Sequence, residues 1–258
     1  MNIETDAGTA AHHIYPRRYF DASPTWFKWN RLFIADVHAL RTERGFEIQN
    51  VYFCLNYPVQ FVRLVGIVTG FDVIHDGLAI FMLDDGSGAR IEVKIARRKQ
   101  KPDDEAVYPS NTLVDNVDVH EHIGHRSICI DHTPISIGSI IRAKGTIGDY
   151  RGQRQINLKM AALVKDTNEE TKAWMDTLQW KSSMFSTPWI LTKEQQDAID
   201  EQARKDVDLA KKKREWNSKQ SEKRRKRDEK HELKRRAREI ELNAGALIGS
   251  NVTKNPWN

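Results

Sequence analysis

Between Pro58 and Ile95 the sequence PVQFVRLVGIVTGFDVIHDGLAIFMLDDGSGARIEVKI sets apolar runs against short polar turns, and the pattern predicts three consecutive β-strands. Val62 to Phe71 is a long, mostly apolar strand whose Gly66 and Gly70 remove the side chains that would resist a sharp bend. His75-Asp76-Gly77 supplies a hairpin turn before a second apolar run, Leu78 to Leu83. Asp84-Asp85-Gly86-Ser87-Gly88 forms the next turn, in which the adjacent carboxylates accept local backbone N–H bonds rather than sharing a catalytic site. A third strand, Ala89 to Ile95, places Ile91, Val93 and Ile95 on one face and Arg90, Glu92 and Lys94 on the other.

After a polar stretch from 97 to 125 the strand pattern resumes. Ile140 to Tyr150 and Gln153 to Val164 read as a hairpin turned at Arg151-Gly152, with Ile156, Leu158, Met160, Ala162 and Val164 expected to share one face. Five strands with the long connection between the third and fourth predict a mainly β chain built on a five-stranded OB-fold barrel, covering 58–166 with an insertion at 97–125. The insertion holds Asp118, His120, Glu121, His122 and His125, with His132 beyond it, but their spacing matches no strong metal-ligand pattern, so a polar loop is expected and no metal or other cofactor.

Upstream, residues 14–57 form an aromatic, proline-punctuated leader expected to pack on the barrel, because exposing so many aromatic rings would be costly. Within it, Phe27 to Leu40 fits a helical stripe and a strand face equally well. Downstream, Asp166-Thr167-Asn168 offers N-cap chemistry ahead of Glu169-Glu170 and predicts an interface helix within 167–190. The stretch 191–242 lacks Gly and Pro and is dense in Lys, Arg, Glu and Gln, which predicts a long charged helical tail without a coiled-coil seam. Residues 1–13 and 243–258 are expected to be disordered.

Charge refines this picture. The 258-residue chain carries +5, yet Lys211 to Arg238 alone holds fifteen Lys or Arg against five Asp or Glu, so the remainder carries −5. The barrel therefore brings little of the counterion-release affinity that basic nucleic-acid-binding domains rely on. Cys54 and Cys129 lack metal-ligand spacing and predict free thiols in a reducing compartment. No apolar run reaches membrane-span length, and the N-terminus lacks the layout of a secretory signal. No phosphate loop or nucleophile elbow is present, so the chain is not expected to be an enzyme.

The ordered string NYPVQFVRLVGIV, FMLDDGSGARIEV and IIRAKGTIGDYRGQRQINL, followed by an aromatic helix, resembles the Stn subunit family of the telomere-capping CST complex, as does the leader YPRRYFDASPTWFKWNRLFIADVHAL in fungal members. The resemblance spans Tyr15 to Trp189, and the family is related to the middle subunit of replication protein A. It implies a subunit of a heterotrimeric OB-fold complex with a small OB-fold subunit and a large subunit as partners. It further implies binding of telomeric single-stranded DNA, chromosome-end protection, support of polymerase alpha-primase fill-in, and a nuclear, telomeric location. Many members carry winged-helix modules beyond the barrel, whereas this chain shows only the charged tail.

OB barrels hold single strands across the second and third strands and between hairpin loops. Lys94, Arg142, Lys144, Tyr150, Arg151 and Arg154 are the expected nucleic-acid contacts, with Tyr150 as the stacking ring. Trp174, Met175, Leu178 and Trp180 are the expected partner interface, since large aromatics are common interface anchors. Lys211-Lys212-Lys213-Arg214 and Lys223-Arg224-Arg225-Lys226-Arg227 resemble a bipartite nuclear localisation signal. Three other readings compete with DNA binding at telomeres: a general replication subunit, an anticodon-binding module, and an assembly scaffold with no DNA contact of its own. The acidic charge outside the tail favours the last.

Overall fold

A computed structural model describes residues 13–75, 77–98, 109–122 and 125–244. The disorder expected at 1–13 and 243–258 lies almost wholly outside those residues. The chain divides into two units, 1–192 and 193–258.

The first unit begins with a 3-10 turn at Arg17–Ala22, a short strand β1 (Asn30–Arg31) and a helix α1 (Ile34–Ala39). The segment that fits helix and strand equally well thus contains one of each. A hairpin of β2 (Tyr52–Cys54) and β3 (Tyr57–Val59) leads into β4 (Phe61–His75), β5 (Leu78–Asp84) and β6 (Arg90–Ala96). Next come β7 (Val117–His122), β8 (His125–Ile130) and β9 (Thr133–Pro134), then β10 (Ile140–Tyr150), β11 (Gln153–Leu163) and helix α2 (Thr167–Met184). The second unit is one 52-residue helix, α3 (Lys193–Ala244).

Five strands close a barrel in the order β4, β10, β11, β6, β5 and back to β4. All pairs are antiparallel except β6 with β11, and this closure is that of the OB-fold. Alternation along each strand fills the interior with Val62, Leu64, Phe81, Leu83, Ile91, Val93, Ile95, Ile141, Ile147 and Ile156, all almost fully buried. The two glycines of the first strand act differently. A Cβ on Gly66 would sit 2.7 Å from the Asp84 carbonyl oxygen, so the close approach of β4 to the end of β5 requires Gly there. Gly70 meets nothing and lies where the β4–β5 register shifts.

Two expectations are corrected. The register shift at Lys144/Gly145, opposite Leu158 and Met160, inserts an extra residue into β11. The alternation therefore flips: Ala161 is buried, while Met160 is half exposed and Ala162 points away from the core. A period-2 reading of one strand cannot see a bulge that depends on its partner. The 97–125 insertion is also more than a polar loop. Val114, Val117 and Val119 join Ile128, Ile130 and Ile135 in the barrel core, and β7, β8 and β9 form a three-stranded sheet. The buried Thr112 hydroxyl bridges the Val114 and Val117 carbonyls at 2.9 and 2.7 Å, satisfying backbone at the start of that sheet.

The leader packs on the barrel through Leu32, Ile34, Val37, Leu40 and Tyr52, which join the barrel core, and is held together by a second apolar cluster of its own, Phe20, Trp26, Val51 and Phe53, joined by Phe46. The turn after β5 caps α1: Asp85 accepts the Ile34 N–H at 2.7 Å, and the Ser87 hydroxyl accepts the Ala35 N–H at 3.1 Å. The acidic turn of the sequence thus anchors the leader as well as reversing the chain.

Candidate nucleic-acid and partner interfaces

On β5, Phe81 and Leu83 face inward, so Leu78, Ile80 and Met82 face outward, leaving an apolar row only partly covered. The neighbouring β6 adds Glu92 and Lys94, and β11 adds Gln155, placed beside Glu92 by the parallel register. Tyr150 ends β10 and is 53 % exposed. Leu78, Ile80, Glu92, Lys94, Tyr150 and Gln155, together with Ile74, surround a depression of about 510 Å3. A second depression of about 550 Å3, lined by His38, Met82, Arg90, Asp149 and Arg154, shares Glu92 with the first. The two form a path across β5 and β6 that ends at the β10–β11 turn.

That turn is fixed locally. Arg151 and Gly152 take positive φ values of 54° and 78°, and the Gly152 N–H donates to the Asp149 carboxylate at 3.0 Å. The Arg151 guanidinium lies 5.2 Å from the Tyr150 ring centroid. The site thus combines an aromatic face, an aliphatic floor, two cations at its rim and a carboxylate, Glu92, that accepts a hydrogen bond from the Gln155 amide. Stacked bases with tracked phosphates suit this arrangement.

The six expected DNA contacts do not share one surface. Lys94, Tyr150 and Arg151 lie at the cleft. Arg142 instead forms an ion pair with Glu169 of α2 at 2.6 Å. Lys144 faces the same way as Arg142 and lies 5.9 Å from the Trp29 ring, beside Arg63 in the sheet register. Arg154 lines the second depression but donates hydrogen bonds to the Val37 and Leu40 carbonyls and stacks 4.9 Å from the Tyr52 ring. Burial pulls its pKa below the usual arginine value. Coiling of the barrel explains the division: side chains of one parity along β10 face α2 at its start and the cleft at its end. The residues missed were Ile74, Leu78, Ile80 and Met82. A strand with both faces apolar reads as fully buried, and its incomplete cover is visible only once the barrel is closed.

The helix α2 begins with Asp166 accepting the Glu169 N–H at 2.8 Å. Ala173 and Thr177 are its buried residues, and Ala173 packs with Val65, Val164 and Ile140. Three ion pairs hold it along its length: Glu169 with Arg142, Asp176 with Arg63 at 3.6 Å, and Lys181 with Asp36 at 2.7 Å. Desolvation, aided by Arg31, lowers the Arg63 pKa. The Lys165 N–H, then Arg142, holds the Glu169 carboxyl below the ordinary glutamate range.

Trp174, Met175 and Leu178 form a contiguous apolar surface on the outer side of α2, 41 %, 62 % and 50 % exposed. Trp174 also packs edge-on against Phe33 at 5.5 Å and covers Gly86. Trp180 departs from the expected interface: it turns to the barrel side, with its ring beneath Arg31 at 5.5 Å and Lys28 at 6.0 Å and its indole nitrogen buried. Beyond the helix the chain folds back. Trp189 is buried, exchanges two hydrogen bonds with the Asn56 side chain at 2.7 and 2.8 Å, and packs on Tyr15. The two basic clusters, Lys211 to Arg214 and Lys223 to Arg227, lie exposed on α3.

No protein-family model matches the chain. Protein stn1 of Schizosaccharomyces pombe is 21 % identical over 161 residues, which are 62 % of this chain and 41 % of that protein, so the chain matches less than half the length of this curated relative. Among solved structures, yeast Stn1 and Ten1 superposes with a TM-score of 0.52 at 15 % identity, covering 75 % of this chain and 91 % of that one. The S. pombe Stn1-ten1 complex gives 0.43 at 19 % identity, covering 61 % and 94 %. The fold of the first unit is therefore of the kind seen in the structure of yeast Stn1 and Ten1.

Proposed function

We propose that this chain, a relative of the Stn subunits of the telomere-capping CST complex, is a non-catalytic subunit that binds telomeric single-stranded DNA and pairs through α2 with a small OB-fold subunit. The observation that carries the reading is the division of labour on one barrel. The β5–β6 cleft presents Tyr150, Lys94 and an aliphatic floor, while an unrelated surface presents Trp174, Met175 and Leu178. A cleft of the first kind takes bases, and an anchored helix of the second kind takes a partner. The S. pombe and yeast Stn structures contain a Ten partner, which supports assigning the α2 surface to a subunit of that type.

From the same kinship we infer a large third subunit, a nuclear and telomeric location, and a role in end protection and in polymerase alpha-primase fill-in. A scaffold reading, in which the DNA is held by other subunits, draws on Glu92 and Asp149 in the cleft and on the acidic charge outside the tail. Fluorescence anisotropy of the full chain, alone and with a small OB-fold partner, separates the two. Preference for a telomeric over a scrambled strand that depends on Tyr150 supports the DNA-binding subunit. An intact pair whose affinity ignores Tyr150→Ala and Lys94→Gln supports the scaffold.

A further inference from the structure

The basic stretch of α3 is organised in a way that a solvated charged helix does not need. An uninterrupted helix at 3.6 residues per turn assigns each residue from 211 to 238 to a face. Eleven of the fifteen cations fall within one half of the circumference, and all five carboxylates fall in the other. The rest of the cationic half is Trp216, Asn217, Gln220, His231 and Ala237. The three ion pairs within the stretch, Arg225–Glu229, Lys226–Glu222 and Arg236–Glu232, all draw on the carboxylates of the opposite half.

A helix stabilised only by its own charges intersperses the two signs so that i,i+4 pairs form on every face. Here one face is left with like charges that repel, a cost that a bound polyanion removes. Lys212, Lys219, Lys223, Arg227, Lys230 and Lys234 run along that face over about 33 Å. The exposed Trp216 lies among them and offers a ring for stacking. The same face has no apolar seam for a partner helix.

We propose that this face of α3 binds the phosphodiester backbone of nucleic acid without sequence preference. It supplies the electrostatic attraction that the remainder of the chain, at −5, lacks. The assignment does not depend on the cleft of the barrel.

The test is a salt titration of binding by the full chain, with a 30-nucleotide oligothymidylate and a 30-base-pair duplex as separate arms. One variant carries Lys212→Gln, Lys219→Gln, Lys223→Gln and Lys230→Gln. A control with the same net charge carries Lys211→Gln, Arg214→Gln, Arg225→Gln and Arg236→Gln, and circular dichroism checks that both remain helical. The first variant should lose about tenfold or more in affinity at low salt and flatten the log-log salt slope by roughly 3, as expected for four lost phosphate contacts. The control should lose markedly less. Equal losses in the two variants would reduce the effect to net charge and overturn the proposal, as would wild-type behaviour of the first variant in both arms. Loss of nuclear accumulation with unchanged DNA binding would give the face to an import receptor instead. The same titration on Tyr150→Ala reads the cleft separately, since a silent cleft variant leaves the effect of the four tail substitutions intact.

Discussion

Arg142 on β10 and Glu169 in the first turn of α2 close an ion pair at 2.6 Å, which ties the helix to the outer face of the barrel away from the cleft. Both side chains are about one-third exposed, so solvent screens the pair and its contribution to stability is small. Arg142→Met should therefore lower the melting temperature only slightly. Because the Glu169 pKa is depressed in the fold, its contribution is present above the ordinary glutamate range and is lost as pH falls through the lowered value. The acid-side loss of stability should therefore be shallower in Arg142→Met than in the parent, measured by thermal melts from neutral pH to pH 3. Single-strand affinity should not change. An affinity loss with an unaltered acid limb would return Arg142 to the DNA site.

The two tryptophans of α2 should behave differently. Leu178→Asp and Met175→Asp place charge on the exposed face and should weaken pairing with a small OB-fold subunit by ~2 kcal/mol or more, about thirtyfold, while leaving the melt of the isolated chain nearly unchanged. Trp180→Ala removes a ring packed beneath Arg31 and Lys28 and should lower the melt of the isolated chain instead. Trp174→Ala should do both, since its ring contacts Phe33 and is also exposed. Co-purification beside differential scanning fluorimetry checks the assignment, and normal pairing by Leu178→Asp would sink it.

Much of this arrangement was legible in the sequence because it is local. Strand alternation, the glycine turns and the Asp166 cap depend on residues a few positions apart, and the five barrel strands start and end within a few residues of where the pattern puts them. What was hidden depends on partners far along the chain. Met160 faces outward because of a bulge between β10 and β11. Arg154 is drawn to the carbonyls of Val37 and Leu40, more than a hundred residues away. Val117, Val119, Ile128 and Ile130 sit among histidines and acids, so their hairpin reads as polar until the barrel presents a core for them to fill. The cleft was legible in part: Lys94 and Tyr150 carry obvious chemistry, whereas Ile80 and Met82 look like ordinary core.

For the cleft, Tyr150→Ala should cost about 1–3 kcal/mol of single-strand affinity, roughly 5- to 150-fold, because a stacked base loses its platform. Lys94→Gln should cost less and reduce the salt slope by about one phosphate contact. Neither side chain is part of the buried core, so the melts should stay at the parent value. Anisotropy at two salt concentrations distinguishes them, and a salt slope changed by Tyr150→Ala but not by Lys94→Gln would reverse the roles assigned here.

The fold-back after α2 makes the end of the first unit part of its core. The Asn56 side-chain amide donates to the Trp189 carbonyl at 2.7 Å, and its oxygen accepts the Trp189 N–H at 2.8 Å. The Leu191 N–H donates to the Tyr15 hydroxyl at 3.0 Å, so the start of the leader and the end of the α2 segment are held to each other. All four residues are buried, where a backbone group left without a partner costs about 1–3 kcal/mol. Asn56→Leu orphans both the N–H and the carbonyl of Trp189 and should destabilise the unit by roughly 2–4 kcal/mol. Tyr15→Phe removes one bond and should cost about 1 kcal/mol. Chemical denaturation of residues 13–192 and of the full chain should return the same ranking, with protease cleavage near residues 185–192 accelerated in Asn56→Leu. Resistance to cleavage equal to the parent's would mean that the segment is held by the packing of Trp189 edge-on against Tyr15 and stacked on Tyr57 rather than by its hydrogen bonds.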